Sequence, residues 1–161
     1  FKPKVVTLGK ALLFPGAIEA LGELGYGLTT EVWWSPSHPF TSSLTKQSAR
    51  ALADAYETGT KKQWTQPIGF AHALFEVAAD TLKRSKSLAA KDVRDALAAT
   101  SMNSVVGAVM WGGPGPFKNV SKTPLVLGQW NKGAKYKVEL SIVNNEAAKN
   151  IPTGGAIRLI D

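Results

Sequence analysis

The fold is decided by two apolar stretches towards the end of the chain, VVGAVMW at residues 105–111 and PLVLGQW at residues 124–130. Both are rich in valine, leucine and other apolar residues and are bounded by turn-forming residues, which predicts β-strands at Val105–Trp111 and Leu125–Trp130. A glycine- and proline-rich loop at residues 112–116 separates them, and a further strand is predicted at Tyr136–Val143. We therefore expect this part of the chain to contain hairpin-like strands.

The beginning of the chain has a strand–helix–strand pattern. The β-branched run Lys4–Leu8 predicts a short strand, and apolar residues at helical spacing after Pro15 predict a helix over Phe14–Leu24. A second strand is predicted at Leu28–Trp34, followed by an extended, proline-bounded joint at Ser35–Pro39. One such unit cannot form a sheet alone, so we expect the chain to lack strands that complete the sheet.

Three helices are predicted in the middle of the chain, at Thr41–Tyr56, at Pro67–Arg84, and from a capping Ser87 to about Ala99. Strands and helices in this order indicate the α/β fold class. Because the chain starts at Phe1 rather than at a methionine and a predicted strand follows almost at once, we expect it to be a piece of a longer protein.

The composition is that of a globular protein. Of 161 residues, 44% are apolar and 19% charged, which excludes a collagen-like, coiled-coil or wholly disordered chain. No apolar run reaches the roughly 18 residues that a membrane-spanning helix needs. The absence of cysteine excludes disulfides and thiolate metal sites. The net charge of +7 suits an anionic partner and is equally compatible with a role in solubility alone.

No set of side chains in the sequence supports an enzyme. His72, Glu76 and Asp80 share one predicted helix face, but this spacing is common on solvated faces, so no metal site is predicted. The loop at residues 112–116, followed by Lys118, contains prolines and lacks the Gly-Lys-Ser/Thr helix entry of a phosphate-binding loop. We therefore predict neither catalytic residues nor a cofactor.

The five tryptophans are open to two interpretations. Tryptophans interleaved with lysines can stack on exposed bases along a basic groove. The preferred interpretation assigns them to the core and to a ligand cleft, and no nucleic-acid partner is expected. Trp33 and Trp34 are adjacent in a predicted strand and point to opposite faces, which puts one in the core and the other beside a cleft at the joint.

Five pieces of the sequence form an ordered set: Thr7-Leu8-Gly9, the stretch Gly25–Pro36, the helix Pro67–Arg84, and the two apolar stretches at 105–111 and 124–130. This set resembles the C-terminal part of type I periplasmic solute-binding proteins of ABC importers, in the branched-chain amino-acid receptor group. The resemblance extends over most of the chain, and the two apolar stretches are its most specific part.

The resemblance implies a two-lobed protein whose three-layer α/β/α lobes are joined by crossovers and close on a ligand, with this chain an incomplete portion of it. In this arrangement residues 1–34 are a βαβ segment of the second lobe and residues 35–40 a hinge crossover. Residues 41–104 are a helical segment of the first lobe, residues 105–143 are strands that return to the second lobe, and residues 144–161 are a C-terminal tail.

The resemblance also implies where a solute would bind, namely in the loop at Gly9–Ala11 and in the loop at Trp64–Gln66. Receptors for α-amino acids place a carboxylate in the first loop, whereas this chain has Lys10 there and no acid between Leu8 and Ala17. The solute is expected to be amino acid-like or an organic acid. Because an unpaired buried ammonium is costly, the organic acid is preferred, with an aromatic body stacked on a tryptophan. The candidate ligand-binding residues are Lys10, Ala11, Trp34, Trp64, Thr65 and Gln66.

The function implied by the resemblance is that of the substrate-binding subunit of an ABC importer, located in the periplasm. Its expected partners are a small solute, a membrane permease, and either the missing N-terminal portion of its own chain or another copy. A sensory module of the same fold is the first alternative. A basic nucleic-acid-binding domain is the second, and its binding would weaken steeply with salt.

Overall fold

A computed structural model describes residues 2–113 and 116–160, so that Pro114 and Gly115 of the predicted loop lie outside the described residues. Within these ranges the chain forms four α-helices, five β-strands and short 3-10 turns. Their bounds are α1 Pro15–Leu21, β1 Thr29–Val32, α2 Ala49–Thr60, α3 Pro67–Arg84, α4 Ala90–Ala98, β2 Ser101–Ser104, β3 Gly107–Met110, β4 Val126–Lys132 and β5 Val138–Asn144.

A three-stranded antiparallel sheet, in the order β1-β4-β5, organises one half of the molecule. The predicted strand Lys4–Leu8 is reduced to one parallel bridge between Thr7 and Thr29. Its hydrogen bonds join the Leu8 N–H to the Thr29 carbonyl (3.0 Å) and the Thr29 N–H to the Val6 carbonyl (2.9 Å). The pairing goes no further because the chain turns after Leu8, with Gly9 leading into a 3-10 turn at Lys10–Leu12.

The predicted strand Val105–Trp111 is confirmed only at Gly107–Met110, which is β3, and its first two residues are instead the turn of a tight hairpin between β2 and β3. Val105 and Val106 make the turn, and Gly107 follows with a φ of +102°, a conformation that favours glycine. Both valines are buried in the core, so their apolar character reflects burial of a turn rather than of a strand. The Ser104 hydroxyl closes the turn by donating to the Gly107 carbonyl (2.8 Å).

The longest helix is confirmed at its predicted bounds, since α3 runs from Pro67 to Arg84. By contrast, α2 begins at Ala49 rather than at Thr41. Ser48 caps it, because its hydroxyl accepts the Ala51 N–H at 3.1 Å. The residues before the cap form a turn closed by a bridge between Thr41 and Ser48.

Two hydrophobic cores lie on either side of the joint that follows β1. The helical core, between α2, α3 and the β2–β3 hairpin, consists of Trp34, Ala49, Ala53, Ala73, Val105, Val106 and Val109. The sheet core consists of two clusters that both contact Leu140. Its buried members are Leu12, Ile18, Val32, Val126, Trp130, Val138, Ile142 and Ile151.

The helix α3 is apolar on both of its sides. Gly69 and Ala73 face the helical core, whereas Leu74, Phe75 and Leu82 are 73%, 70% and 53% exposed. An all-round apolar helix is typical of one placed between two layers of a larger protein. Within the described residues, no helix has the length and apolar character needed to cross a membrane.

Candidate functional site

The first predicted ligand loop, Gly9–Ala11, follows the bridge to β1 and forms a short 3-10 turn. The Lys10 N–H donates to the Glu31 carboxylate, with 3.1 Å between the nitrogen and Oε1. Lys10 has a φ of +22°, and both Lys10 and Ala11 are exposed. The loop is therefore attached to β1 by a backbone group, and the Lys10 side chain lies at the surface.

The second predicted loop is attached to the same strand through Gln66. This side chain is fully buried, and its carboxamide pairs with the backbone just as a neighbouring strand would. Its Oε1 accepts the Trp33 N–H at 2.7 Å, and its Nε2 donates to the Glu31 carbonyl at 3.1 Å. Gln66 thus extends the pairing of β1 by one residue.

Glu31 is the residue at which the two predicted loops meet, because its carboxylate binds the Lys10 N–H and its carbonyl binds Gln66. The sequence analysis did not select it. Strand alternation could have found it, since Glu31 and Trp33 are two apart and lie on the same face of the chain. The strand β1 therefore places a carboxylate beside the first loop, which contains none.

The two adjacent tryptophans occupy different environments, as strand alternation predicts. Trp34 is fully buried in the helical core, where its ring lies edge-on to Trp64 with 6.1 Å between centroids. Trp33 is half-buried and lies edge-on to Phe70 at 6.0 Å. Of the pair, the candidate ligand residue Trp34 is the one in the core, and Trp33 is the one on the Glu31 face.

The candidates Trp64 and Thr65 are half-buried. Trp64 lines a groove of about 220 Å³ whose lining residues do not include Lys10 or Ala11. The candidate residues therefore fall into two neighbouring places. Lys10 and Gln66 are gathered at Glu31, and Trp64 lies at the groove. The groove is lined by Ser35, Pro36, Ser37, Arg50, Glu57, Gln63, Trp64, Lys135, Tyr136, Glu139, Leu140 and Ser141.

One acidic and one basic side chain of the groove, Glu57 and Lys135, form an ion pair. The Lys135 ammonium lies 2.6 Å from Glu57 Oε2. Burial raises the pKa of the Glu57 carboxyl, but hydrogen bonds from Lys135, the Trp64 N–H and Tyr136 outweigh it and hold the pKa below its ordinary value. The same hydrogen bond to Glu57 raises the pKa of Lys135. Both groups are charged at neutral pH.

The joint contains a buried histidine. His38 Nδ1 accepts the Ser35 N–H at 3.0 Å, and its Nε2 has no hydrogen-bond partner among the described residues. Burial lowers the pKa of His38 from 6.5 to about 4, against the smaller opposite effect of the bond to Ser35. His38 is therefore neutral at pH 7, and its ring fixes the backbone where the chain passes between the two cores.

Each residue of the His72, Glu76 and Asp80 stripe has a partner within the protein. Glu76 is buried and accepts the N–H groups of Ser43 (2.5 Å) and Val105 (2.9 Å). His72 pairs with Ser42, and Asp80 pairs with Arg84. The described part of the chain contains no group of three such side chains arranged to hold a metal ion.

At the level of sequence, neither a protein-family model nor a curated protein matches the chain. Solved structures do match. A leucine-binding protein from Thermotoga maritima is 17% identical with a TM-score of 0.66, over 88% of this chain and 37% of that chain. A branched-chain amino-acid substrate-binding protein from Streptococcus pneumoniae, in complex with isoleucine, is 16% identical with a TM-score of 0.63, over 87% and 37%. A solute-binding protein from R. palustris, in complex with benzoate, is 19% identical with a TM-score of 0.56, over 85% and 36%.

This chain has part of the type I periplasmic binding protein fold. The fold class expected from the sequence, an incomplete α/β portion of a two-lobed fold, is confirmed. The chain spans a little over a third of the length of these three proteins. The exposed apolar face of α3 agrees with a periplasmic binding protein fold of which a large part is absent from this chain.

Proposed function

We propose that this chain is part of a solute-binding protein of an ABC importer, which encloses a small molecule between two lobes without chemical change. The main support is the meeting of the two expected ligand loops at Glu31, although they lie far apart in sequence. The neighbouring structures include binding proteins for leucine and isoleucine and a complex with benzoate. The proposed location is the periplasm, and the proposed partner is the membrane permease that receives the solute.

We propose the expected lobe assignment with one change. Val105, Val106 and Val109 pack in the helical core, so the return to the second lobe is placed after the β2–β3 hairpin, with β4. Residues 1–34 remain the second-lobe segment and residues 35–40 the crossover. The tail from residue 144 stays with the sheet, because the Arg158 N–H donates to Gln129 Oε1 at 2.9 Å.

The proposed solute is an organic carboxylate held by Lys10, with its body against a tryptophan. Trp33 fits that part better than Trp34, because Trp33 is half-buried beside Glu31 while Trp34 is enclosed by the core. Glu31 favours a second candidate, an amino acid whose ammonium pairs with its carboxylate. The two candidates differ in which of the two charged side chains they require.

A thermal-shift assay separates the candidates. It uses the longest polypeptide that contains this sequence, and the ligands are benzoate, leucine and leucinamide, which lacks a carboxylate. A ligand at 100 times its Kd adds about 2.7 kcal/mol, and about 2–4 °C of Tm per kcal/mol makes that shift easy to measure.

The carboxylate proposal expects a shift with benzoate that Lys10→Met abolishes and that the matched surface variant Lys86→Met keeps. A shift with leucine and leucinamide that is lost in Glu31→Gln supports the amino-acid candidate instead. If no ligand in a broad panel of small acids and amino acids changes the Tm, solute binding is the wrong function. Binding of single-stranded DNA that falls steeply with salt would support the nucleic-acid alternative.

A further inference from the structure

The groove beside Trp64 separates the helical core from the sheet core, and two polar contacts cross it. The Glu57 carboxylate at the end of α2 meets the Lys135 ammonium in the loop between β4 and β5 at 2.6 Å. Next to it, Gln63 Nε2 donates to the Val138 carbonyl at 2.9 Å. In this region the two cores are joined by polar groups around an open volume of about 220 Å³.

The Glu57 carboxylate is held in place by contacts that do not involve Lys135. The Glu57 side chain is only 9% exposed. Its second oxygen, Oε1, accepts the Trp64 N–H at 3.2 Å, and the Trp64 ring packs on Trp34 of the helical core. The carboxylate is therefore fixed to the helical core.

The basic side is fixed to the sheet. The N–H groups of Lys135 and Tyr136 both donate to Glu139 Oε1, at 3.0 and 3.2 Å, which holds the loop against the start of β5. The Lys135 ammonium also lies 5.2 Å from the centre of the Tyr136 ring. The backbone of Lys135 thus moves with the sheet core, and its side chain, which is 65% exposed, reaches from there to Glu57.

We propose that Glu57 and Lys135 form a latch that fixes the angle between the helical core and the sheet core, and that its release lets the two cores move about the joint at residues 35–40. The proposal is independent of the solute. It predicts a conformational effect that an ordinary surface ion pair does not have. An ordinary surface pair is that of Lys91 with Asp95 at 2.7 Å, which joins two residues of the same helix and does not connect the two cores.

The test measures the distance between the two cores. The 161-residue chain has no cysteine, so spin labels can be attached at Ala55→Cys in α2 and Lys132→Cys in β4 without a background. We expect Glu57→Gln and Lys135→Met each to broaden the distance distribution measured by pulsed electron spin resonance and to shift its mean. The conservative variant Lys135→Arg keeps the cation while Glu57 keeps its bond to the Trp64 N–H, so this variant is expected to keep the parent distribution.

The control variant is Lys91→Met, which removes an ion pair of nearly the same length within α4 and is expected to leave the distribution unchanged. Cooperative urea unfolding establishes that each variant is folded, and the other single variant carries the test if one of the two does not fold. Parent-like distributions in both single variants would overturn the latch. A distribution that changes as much in Lys91→Met as in the two single variants would also overturn the latch.

Discussion

The two cores each enclose one tryptophan, and they hold it in different ways. Trp34 is fully buried in the helical core, and its indole N–H has no hydrogen-bond partner within residues 2–113 and 116–160. Trp130 is 2% exposed in the sheet core, and its indole N–H donates to the Leu12 carbonyl at 2.9 Å. Shape holds the first tryptophan, and a hydrogen bond between distant parts of the chain adds to the packing of the second.

The shape that holds Trp34 is provided by Gly69. A Cβ atom at this position would collide with the Trp34 ring, closer than real Cβ atoms approach their neighbours. The Trp34 site therefore depends on a missing side chain in α3, whereas the Trp130 site adds a directional bond to its packing. The difference teaches that the Trp34 site tolerates an indole N–H without a partner in the described chain but no added volume, and that the Trp130 site is sensitive to the loss of a donor.

The largest effect is expected from Gly69→Ala. Alanine favours a helix by up to about 1 kcal/mol over glycine, but overpacking against Trp34 is expected to cost about 3 kcal/mol or more. The measurement is the free energy of unfolding in urea. The matched control is Gly59→Ala in α2, where a Cβ meets nothing within 4 Å, and this variant is expected to be slightly stabilised. Equal effects of the two variants would contradict the role of shape in the helical core.

A smaller effect is expected from pH, through the joint between the cores. The pKa of His38 falls from 6.5 to about 4 on folding, so the unfolded chain binds a proton that the folded chain excludes. Stability is then complete above pH 6.5 and is lost as the pH falls towards 4. Between pH 7 and pH 5 the loss attributable to His38 is about 2 kcal/mol.

The pH prediction is tested with His38→Asn, which keeps an acceptor for the Ser35 N–H and does not titrate. Urea unfolding between pH 7 and pH 5 is expected to give a much smaller loss in the variant than in the parent. His72 is unchanged in both proteins and serves as the internal reference. A variant whose stability falls in parallel with the parent would show that His38 titrates normally.

The smallest effect is expected when each of the two buried tryptophans is replaced by phenylalanine. Trp130→Phe removes the donor to the Leu12 carbonyl, while Trp34→Phe removes an indole N–H that has no partner in the described chain. Both lose similar volume, so we expect Trp130→Phe to cost about 1 kcal/mol more than Trp34→Phe. The m-values of both variants should match the parent. A larger cost for Trp34→Phe would mean that packing density outweighs the hydrogen bond.

Local sequence signals predicted the helix α3 best and the turn between β2 and β3 worst. In α3, Pro67 and the apolar periodicity determine the bounds, and tertiary contacts do not change them. In the stretch at 105–111, Val105 and Val106 have strong strand propensity but form the hairpin turn, because the helical core buries them there. Nothing local to these valines distinguishes a buried turn from a buried strand.

The candidate site could be predicted only in part. The loop at Gly9–Ala11 and Gln66 were selected from the resemblance, and they do lie at one strand. Glu31 was missed because it is distant in sequence from both loops. Which of Trp33 and Trp34 faces the core depends on Gly69, and this contact spans 35 positions of the chain and is not visible in the local pattern.

The backbone hydrogen bonds at the end of β1 depend on the position of the Gln66 carboxamide. When this carboxamide moves, the Trp33 N–H loses its acceptor and the Glu31 carbonyl loses its donor. The Trp33 amide hydrogen then becomes free to exchange with deuterium. Deuterium uptake at Trp33 therefore reports, from the backbone itself, whether the Gln66 side chain is in place.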